Sequence, residues 1–277
     1  MNNGCECPDL IHINKIHTFF KADFKSDYAF KGERHDWWEM VFVINGTVGI
    51  TAGGDVFNLS SSQAVIHKPM EFHKICSEPQ SPPSVIVISF SASVFPEIQG
   101  KIFSLTSSEI EEIQSLYELS LTCFERNNIY LSSCIDGGEV LFQKLRLRLE
   151  LLIFSLIYDN KQRETSRIVR GLKSAELYSG AVKFMEENFG EGYCIEDIAA
   201  RFSISSAYLK KIFIKYAGCG VMQYYNRLRA RLACSYLASG KTVKETADIL
   251  GFSDQNYFST FFKRHTGKSP TSFKKGI

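Results

Sequence analysis

The chain has 277 residues, a length that indicates roughly two domains, and its composition of 44% hydrophobic and 22% charged residues excludes disordered and collagen-like chains. Its apolar runs are short, for example 85–88 and 151–154, and far below the ~20 residues of a membrane span. The net charge is +2, yet residues 205–277 contain 13 Lys and Arg against 3 Asp and Glu. That local charge of +10 leaves −8 on the remainder and predicts a polyanionic partner for the C-terminal end.

The N-terminus and the cysteines indicate the compartment. The first ten residues are polar and lack the basic start and apolar stretch of a secretory signal, so we expect a cytoplasmic protein without a membrane partner. The eight cysteines are scattered and form no CxxC pair. We therefore expect reduced thiols rather than a disulfide framework.

Residues 11–89 have the pattern of a β domain. Residues 35–45 (HDWWEMVFVIN) are aromatic and β-branched, and they end at Asn45 and Gly46, a dipeptide that favours a tight hairpin. Further short strands are predicted over 47–52, 56–59, 64–67 and 84–90. Short strands separated by frequent turns favour a sandwich or barrel.

The pattern becomes helical near residue 105. Thr106 or Ser107 can cap a helix predicted over 108–126, and a second helix is predicted over 138–158. The leucine stripe of this second helix is wide, so it is either one more core helix or a helix that pairs with its symmetry mate in a dimer. The polar, charged segment 159–173 is interpreted as an interdomain linker.

The C-terminal region contains an internal repeat of about 48 residues. Residues 195–218 and 243–267 each predict a short helix, a tight turn and a second helix. Ala199 and Ala247 occupy equivalent positions, where a small side chain lets the two helices cross closely. Residues 221–240 predict one connecting helix, long enough to hold the two second helices about one DNA turn apart.

The turns and caps of the two copies also correspond. Ser203 and Gly251 stand at a turn position that favours positive φ. Gly218 and Gly267 are predicted to end the second helices in left-handed caps. The second helices are expected to begin at Ser205 and at Ser253 or Asp254. Each copy is therefore predicted to be a helix-turn-helix unit.

These residues resemble the DNA-binding domain of AraC/XylS transcriptional regulators. The resemblance is carried by IAARFSISSAYLKKIF, by the spacing of Tyr224, Arg229, Ala233 and Leu237, and above all by ADILGFSDQNYFSTFFKRHTGKSPTSFK. Ser203 departs from the Gly or Asn that the family usually has. The resemblance implies a sequence-specific regulator, most often an activator that works with RNA polymerase, and not an enzyme.

The resemblance also implies which residues contact DNA in the major groove. Lysine can donate to guanine, and Asn or Gln can pair with adenine. The implied base-reading positions are Ser206, Ala207, Lys210, Lys211, Gln255, Asn256, Ser259 and Thr260. The residues expected to contact phosphates include Lys215, Lys263 and Arg264, with further candidates at Arg227, Lys268, Lys274 and Lys275. Arg229 contacts a phosphate or braces the connecting helix.

The β region resembles the two cupin motifs. His35-x3-Glu39-x6-Gly46 is similar to the first motif, and residues 69–73 (PMEFH) are similar to the second. Together with Glu33, the residues His35, Glu39 and His73 could form a facial metal site if all pointed into one barrel. The usual HxH is broken by Trp37, which favours a ligand pocket without metal, so no metal or cofactor is expected. A purely structural packing role of these side chains stays open as an alternative. The candidate effector-binding residues are His35, Trp37, Glu39 and His73.

The predicted fold is multidomain α+β. It consists of a cupin-like β-barrel sensor domain (1–100), a helical dimerisation segment (101–160), a linker (161–174) and an all-α DNA-binding domain (175–277) with two helix-turn-helix units joined by a linker helix. The predicted function is a ligand-responsive transcriptional regulator that forms a homodimer and binds promoter DNA. Two alternatives stay open, a cupin metalloenzyme fused to a DNA-binding domain and a constitutive regulator whose barrel only dimerises.

Overall fold

A computed structural model describes residues 8–78, 81–98, 102–159 and 173–275 of the chain. The chain forms two compact units, a β unit (Met1–Gly53 with Phe57–Arg170) and a helical unit (Gly171–Ile277 with Gly54–Val56). The predicted α+β class is confirmed. Of the predicted linker, residues 160–172 lie outside the described residues.

The described residues of the β unit form two antiparallel sheets and two helices. A seven-stranded sheet has the order β8-β5-β2-β7-β1-β10-β9, and a three-stranded sheet has the order β4-β3-β6. The strands are β1 His12–Asp23, β2 Trp38–Asn45, β3 Thr47–Ala52, β4 Asp55–Ser60, β5 Gln63–His67, β6 His73–Ser77, β7 Ser84–Val94, β8 Ile102–Ser104, β9 Phe124–Asn127 and β10 Tyr130–Cys134. The helices are α1 Ser107–Cys123 and α2 Glu139–Asp159.

The position of β2 between two hydrophobic cores explains why its sequence is an almost unbroken apolar run. Met40 and Phe42 belong to the core between the large sheet and the two helices, whereas Val41 and Val43 belong to the core between the two sheets. Successive side chains of a strand point to opposite faces, so a strand buried on both faces needs apolar residues at every position. Glu39 shares the face of Val41, and it therefore faces the space between the sheets.

Two predicted boundaries differ by three residues from the structure, and one hairpin was not predicted. The strand predicted from residue 35 begins at Trp38, so His35 and Trp37 lie in the preceding loop. The helix predicted to reach residue 126 ends at Cys123, because Phe124 is extended and starts β9. The hairpin β9–β10 was not predicted, since its polar sequence lacks the alternation that marks a strand. The cap of α1 is Thr106, which forms a capping box with Glu109.

The helical unit contains seven helices within the described residues. They are α3 Lys173–Glu187, α4 Ile195–Arg201, α5 Ser206–Ala217, α6 Val221–Ala238, α7 Val243–Ile249, α8 Gln255–Thr266 and α9 Pro270–Lys274. Helices α4–α5 and α7–α8 form the two predicted helix-turn-helix units, and α6 is the predicted connecting helix. None of the helices in the described part of the chain combines the length and apolarity that a bilayer crossing requires.

The local geometry predicted for the two turns is confirmed. The backbone φ is 52° at Ser203 and 69° at Gly251. Gly218 and Gly267 have φ of 63° and 79° and end α5 and α8 in the left-handed conformation. Asp254 caps α8 through both carboxylate oxygens, which settles the choice between residues 253 and 254. Ser205 caps α5 as predicted.

Each helix-turn-helix unit has a hydrophobic core of its own. The first core surrounds Phe213 with residues of α3, α4, α5 and the start of α6. The second surrounds Phe258 and Phe262 with residues of α7, α8 and the end of α6. Ala199 and Ala247 are buried in these cores, at the predicted helix crossings. Helix α6 belongs to both cores and therefore ties the two units together.

Candidate functional site

A cavity of about 590 Å³ lies within the β unit. Its wall comes from β1, β2, β3, β5, β6, β7, α1, the β9–β10 hairpin and the loop between β1 and β2, so residues distant in sequence meet around it. The wall is partly aromatic, with Trp37, Tyr28 and Tyr117 among its members, and partly polar. A concave, largely apolar pocket with a few convergent polar groups is the usual form of a small-molecule site.

The sheet register aligns part of the polar wall. Glu39 on β2 lies opposite His67 on β5 and opposite Ser89 on β7. Thr18 on β1 in turn lies opposite Ser89, and their hydroxyl oxygens are 2.7 Å apart. Four neighbouring strands thus place four polar side chains in a row on the face that lines the cavity.

Two histidines and two glutamates converge at this row. One possible ligand atom from each of Glu33, His35, Glu39 and His73 lies within 4.8 Å of all the others. His73 Nε2 is 3.4 Å from Glu39 Oε1 and 3.7 Å from Glu33 Oε1, and His35 Nε2 is 3.6 Å from Glu39 Oε2. We call these four residues the His–Glu cluster. The chain holds Glu33 beside His73 through a pair of backbone hydrogen bonds of 3.0 and 3.1 Å.

The candidate effector residues all line this one cavity. His35, Trp37 and Glu39 reach it from the loop before β2 and from β2 itself, and His73 reaches it from the start of β6. The indole of Trp37 is stacked between the rings of His17 and His35, with centroid distances of 4.3 and 4.5 Å. His17 is also held by a contact of 2.8 Å between its Nε2 and Ser91 Oγ. Sequence reasoning did not single out His17.

Burial and charge shift the pKa values of the site in different directions. Burial lowers the pKa of His67, against the raising effect of the Glu71 carboxylate. Burial also lowers the pKa of His73, but contact with the carboxylates of Glu33 and Glu39 outweighs it, so this pKa is raised overall. The same contact with His73 holds the pKa of Glu33 below its ordinary value. The cluster thus favours the ionised form of the Glu33 carboxylate.

The second candidate site is the pair of outward helix faces in the helical unit. On α5, Ala207, Lys210, Lys211 and Lys215 are exposed, and Ser206 is half-buried. On α8, the exposed members of the predicted set are Gln255, Asn256, Thr260, Lys263 and Arg264, and Ser259 is half-buried. Leu209 and Phe258 lie on the opposite faces of these helices and are buried in the two hydrophobic cores. The predicted base-reading side chains therefore lie on accessible surface.

Comparison with known proteins finds two family models that match different parts of the chain. The family model described as an AraC-like ligand binding domain matches residues 22–158, and the model described as a helix-turn-helix domain matches residues 198–276. The chain belongs to the AraC/XylS family of transcriptional regulators. It is thus a DNA-binding regulator with an N-terminal ligand-binding domain.

Three relatives of this AraC/XylS protein illustrate the range of similarity. The Msm operon regulatory protein of Streptococcus mutans is 26% identical over 262 residues, which cover 90% of this chain and 88% of that protein. The transcriptional activator RhaS of Citrobacter koseri is 23% identical over 249 residues, with the same coverage of 90% and 88%. The raffinose operon regulatory protein RafR of Pediococcus pentosaceus is 32% identical over 107 residues, 38% of this chain and 39% of that protein.

Two basic residues of the AraC/XylS domain have structural partners. Arg229 is buried, donates to the carbonyl oxygen of Leu250 and lies 4.0 Å from the ring centroid of Phe252. It therefore braces α6 against the second turn, the second of the two roles considered for it. Lys274 was expected to neutralise a phosphate, but its Nζ donates to the carbonyl oxygens of Gly240 and Lys241 and holds the end of α6.

Two exposed tyrosines were missed by sequence reasoning. Tyr208 on α5 and Tyr257 on α8 are 41% and 64% exposed. Each directly precedes the buried residue of its helix, Leu209 or Phe258, so the repeat places them at equivalent positions. The alignment of the two helix-turn-helix repeats would have identified this pair of tyrosines from the sequence.

Proposed function

We propose that a small molecule binds in the cavity of the β unit and thereby changes the affinity of the helical unit for promoter DNA. The observation that carries this proposal is the meeting of all four candidate effector residues, His35, Trp37, Glu39 and His73, on one cavity wall. A ligand shifts such an equilibrium only through different affinities for the two states of the protein. The regulator acts in the cytoplasm as an activator that assists RNA polymerase and catalyses no reaction itself.

The effector proposal is tested by a thermal-shift screen of small metabolites. A true effector raises the melting temperature of the wild-type chain by mass action, and Trp37→Ala abolishes the rise because the aromatic wall is lost. Val94→Ala serves as the control, since Val94 is exposed and does not line the cavity. The proposal fails if compounds shift the Trp37→Ala variant as much as the wild type.

For DNA, we propose that α5 and α8 enter successive major grooves on one face of the duplex. Helix α6 has 18 residues and is therefore roughly 27 Å long, which suits recognition helices one turn apart. The proposed base contacts are those of Ser206, Ala207, Lys210, Lys211, Gln255, Asn256, Ser259 and Thr260. The proposed phosphate contacts are those of Lys215, Lys263 and Arg264.

Fluorescence anisotropy with fragments from the upstream region of the chain's own gene tests this proposal. We expect Lys210→Ala with Lys211→Ala to raise Kd by at least about tenfold. The matched control is Lys173→Ala with Lys183→Ala, which removes two exposed lysines of α3. Equal Kd values for the two double variants would contradict the placement of α5 in the groove.

We also infer that two copies pair through the outer face of α2. Its inner leucines, among them Leu145, Leu149 and Leu156, are buried in the core of the β unit. The opposite face nevertheless carries mostly apolar residues at alternating steps of four and three, with Lys144 as the polar exception, and this is the spacing of a coiled-coil seam. This outer seam consists of Val140, Lys144, Leu147, Leu151, Phe154 and Tyr158, and the exposed fractions of Val140, Leu147 and Leu151 are 78%, 52% and 65%.

A second copy is the fitting occupant, because the seam is self-complementary in a twofold pair and its spacing is that of helix pairing. Sedimentation equilibrium tests this. Leu147→Glu with Leu151→Glu is expected to convert a dimer into a monomer, whereas Leu10→Glu, at an exposed leucine outside α2, leaves the mass unchanged. A monomeric wild type, or a double variant that still dimerises, would contradict the pairing.

A further inference from the structure

The His–Glu cluster has features that a purely organic ligand pocket does not require. The ring Nδ1 of His35 is 3.1 Å from the carbonyl oxygen of Trp37, and the Nδ1 of His73 is 3.1 Å from the carbonyl oxygen of Glu71. A carbonyl oxygen only accepts, so each Nδ1 carries the hydrogen. In the neutral rings, each Nε2 therefore presents its lone pair.

Both of these lone pairs point into the cluster and lack a hydrogen-bond partner among the described residues. His35 Nε2 and His73 Nε2 are inaccessible to solvent, and the side chains are only 8% and 5% exposed. The atoms that face them are carboxylate oxygens of Glu33 and Glu39, which also only accept when ionised. When both rings are neutral, four electron-rich atoms thus surround one point, an arrangement that a shared cation stabilises.

The imidazole–carboxylate distances within the cluster are close to those around a shared metal ion, and the four ligand atoms together lie within 4.8 Å of one another. Ligand atoms bound at about 2.0–2.2 Å to one tetrahedral ion lie about 3.3–3.6 Å from each other. The three contacts of the two imidazoles with the carboxylates are 3.4, 3.6 and 3.7 Å. Hydrogen-bonded ion pairs between imidazolium and carboxylate are shorter, about 2.7–2.9 Å.

We propose that Glu33, His35, Glu39 and His73 form a binding site for a divalent transition-metal ion such as Zn²⁺. Two carboxylates balance the charge of the ion, and two imidazoles supply the nitrogen ligands that this class of ion prefers. The carbonyl oxygens of Trp37 and Glu71 fix the tautomer and orientation of the two rings, which is the usual outer-shell support of metal-bound histidine. The bound ion forms part of the cavity wall.

The site combines rigid and adjustable ligands. Glu39 and His73 are fixed on β2 and β6, and the backbone pair between Glu33 and His73 keeps the third ligand in reach. The side chain of Glu33 is 44% exposed, so it lies at the edge of the cluster and can adjust when the ion enters. Metal binding is a property of the free protein and does not depend on the effector or DNA steps proposed above.

The test is a titration of the full-length, chelator-treated protein with Co²⁺, followed by displacement with Zn²⁺. We expect one ion per chain, with the visible absorption bands of a nitrogen- and oxygen-ligated ion. Glu39→Gln and His73→Ala are expected to weaken binding at least about 100-fold, because each removes a direct ligand. His12→Asn, which alters a histidine outside the cluster, leaves the affinity unchanged.

Glu33→Gln keeps the test decisive if the buried variants fail to fold. Glu33 is partly exposed, so this variant is expected to retain the melting temperature of the metal-free wild type while its Co²⁺ affinity falls at least about tenfold. Three results would overturn the proposal. They are a wild type that binds no stoichiometric Co²⁺ or Zn²⁺, a Glu33→Gln variant with unchanged affinity, and a strong near-ultraviolet thiolate band that assigns the ion to cysteines.

Discussion

The two helix-turn-helix units follow one backbone plan but hold their turns in different ways. Ser203 and Gly251 both have positive φ and are both exposed, yet the Gly251 backbone also lies against Gly190. A Cβ at position 251 would come within 1.7 Å of the carbonyl oxygen of Gly190. The first turn therefore tolerates a side chain, because it points to solvent. The second needs glycine both for its conformation and for its space.

The outward faces differ as well. Helix α5 offers Lys210, Lys211 and Lys215, all exposed, whereas α8 begins with the amides Gln255 and Asn256. Amide side chains discriminate between bases through paired hydrogen bonds, while lysine adds a charge that any phosphate can also satisfy. We therefore expect the second unit to contribute more of the sequence discrimination in DNA binding, and the first unit to contribute more of the electrostatic affinity.

The largest effect is expected for Gly251→Ala. The new methyl group cannot be accommodated against Gly190, and positive φ adds strain, so we expect the free energy of unfolding to fall by more than about 3 kcal/mol. Urea unfolding followed by circular dichroism measures it. The control is Gly220→Ala, where φ is −69° and no atom lies within 4 Å of the added Cβ. Similar losses in both variants would contradict the difference between the turns.

Arg229→Met is expected to have the next largest effect. The substitution keeps the length of the side chain but removes the donor to the Leu250 carbonyl and the cation above Phe252. We expect a loss of about 2–3 kcal/mol, measured by the same urea unfolding. Arg231→Met is the matched control, since Arg231 is exposed on the same helix. If both variants lost the same free energy of unfolding, the conclusion that Arg229 braces the second unit would be wrong.

The division of labour between α5 and α8 can be measured by salt titration of DNA binding. Gln255→Ala with Asn256→Ala is expected to cost about 1–3 kcal/mol on the cognate site and to leave the salt slope unchanged. Lys210→Ala with Lys211→Ala is expected to weaken binding to the cognate site most, to weaken binding to scrambled DNA as well because two positive charges are lost, and to make the salt slope shallower. If instead the amide variant made the salt slope shallower and the lysine variant left it unchanged, α5 rather than α8 would contribute more of the sequence discrimination.

The smallest effect is expected for Ser203→Gly. Glycine relieves the strain of positive φ, of about 1–2 kcal/mol, but adds conformational entropy to the unfolded chain. We therefore expect stabilisation below about 1 kcal/mol by urea unfolding. A large loss of stability would show that the serine side chain itself holds the first turn.

The sequence predicted the helical unit in more detail than the β unit, for a physical reason. Helix caps, positive-φ turns and inward residues such as Phe213 and Phe258 act over a few positions, so the repeat displayed them directly. The row of Thr18, Glu39 and Ser89 depends instead on strand register between distant segments, which no local pattern contains. His35 and His73 were predicted as neighbours only through the cupin resemblance.

The most direct test of the central claim is a hydroxyl-radical footprint of the full-length protein on a bound promoter fragment. Two recognition helices in successive major grooves predict two protected patches on one face of the duplex, about 10–10.5 base pairs apart. Lys210→Ala with Lys211→Ala should weaken one patch, and Gln255→Ala with Asn256→Ala the other. A single patch, or one that both double variants weaken equally, would contradict the account.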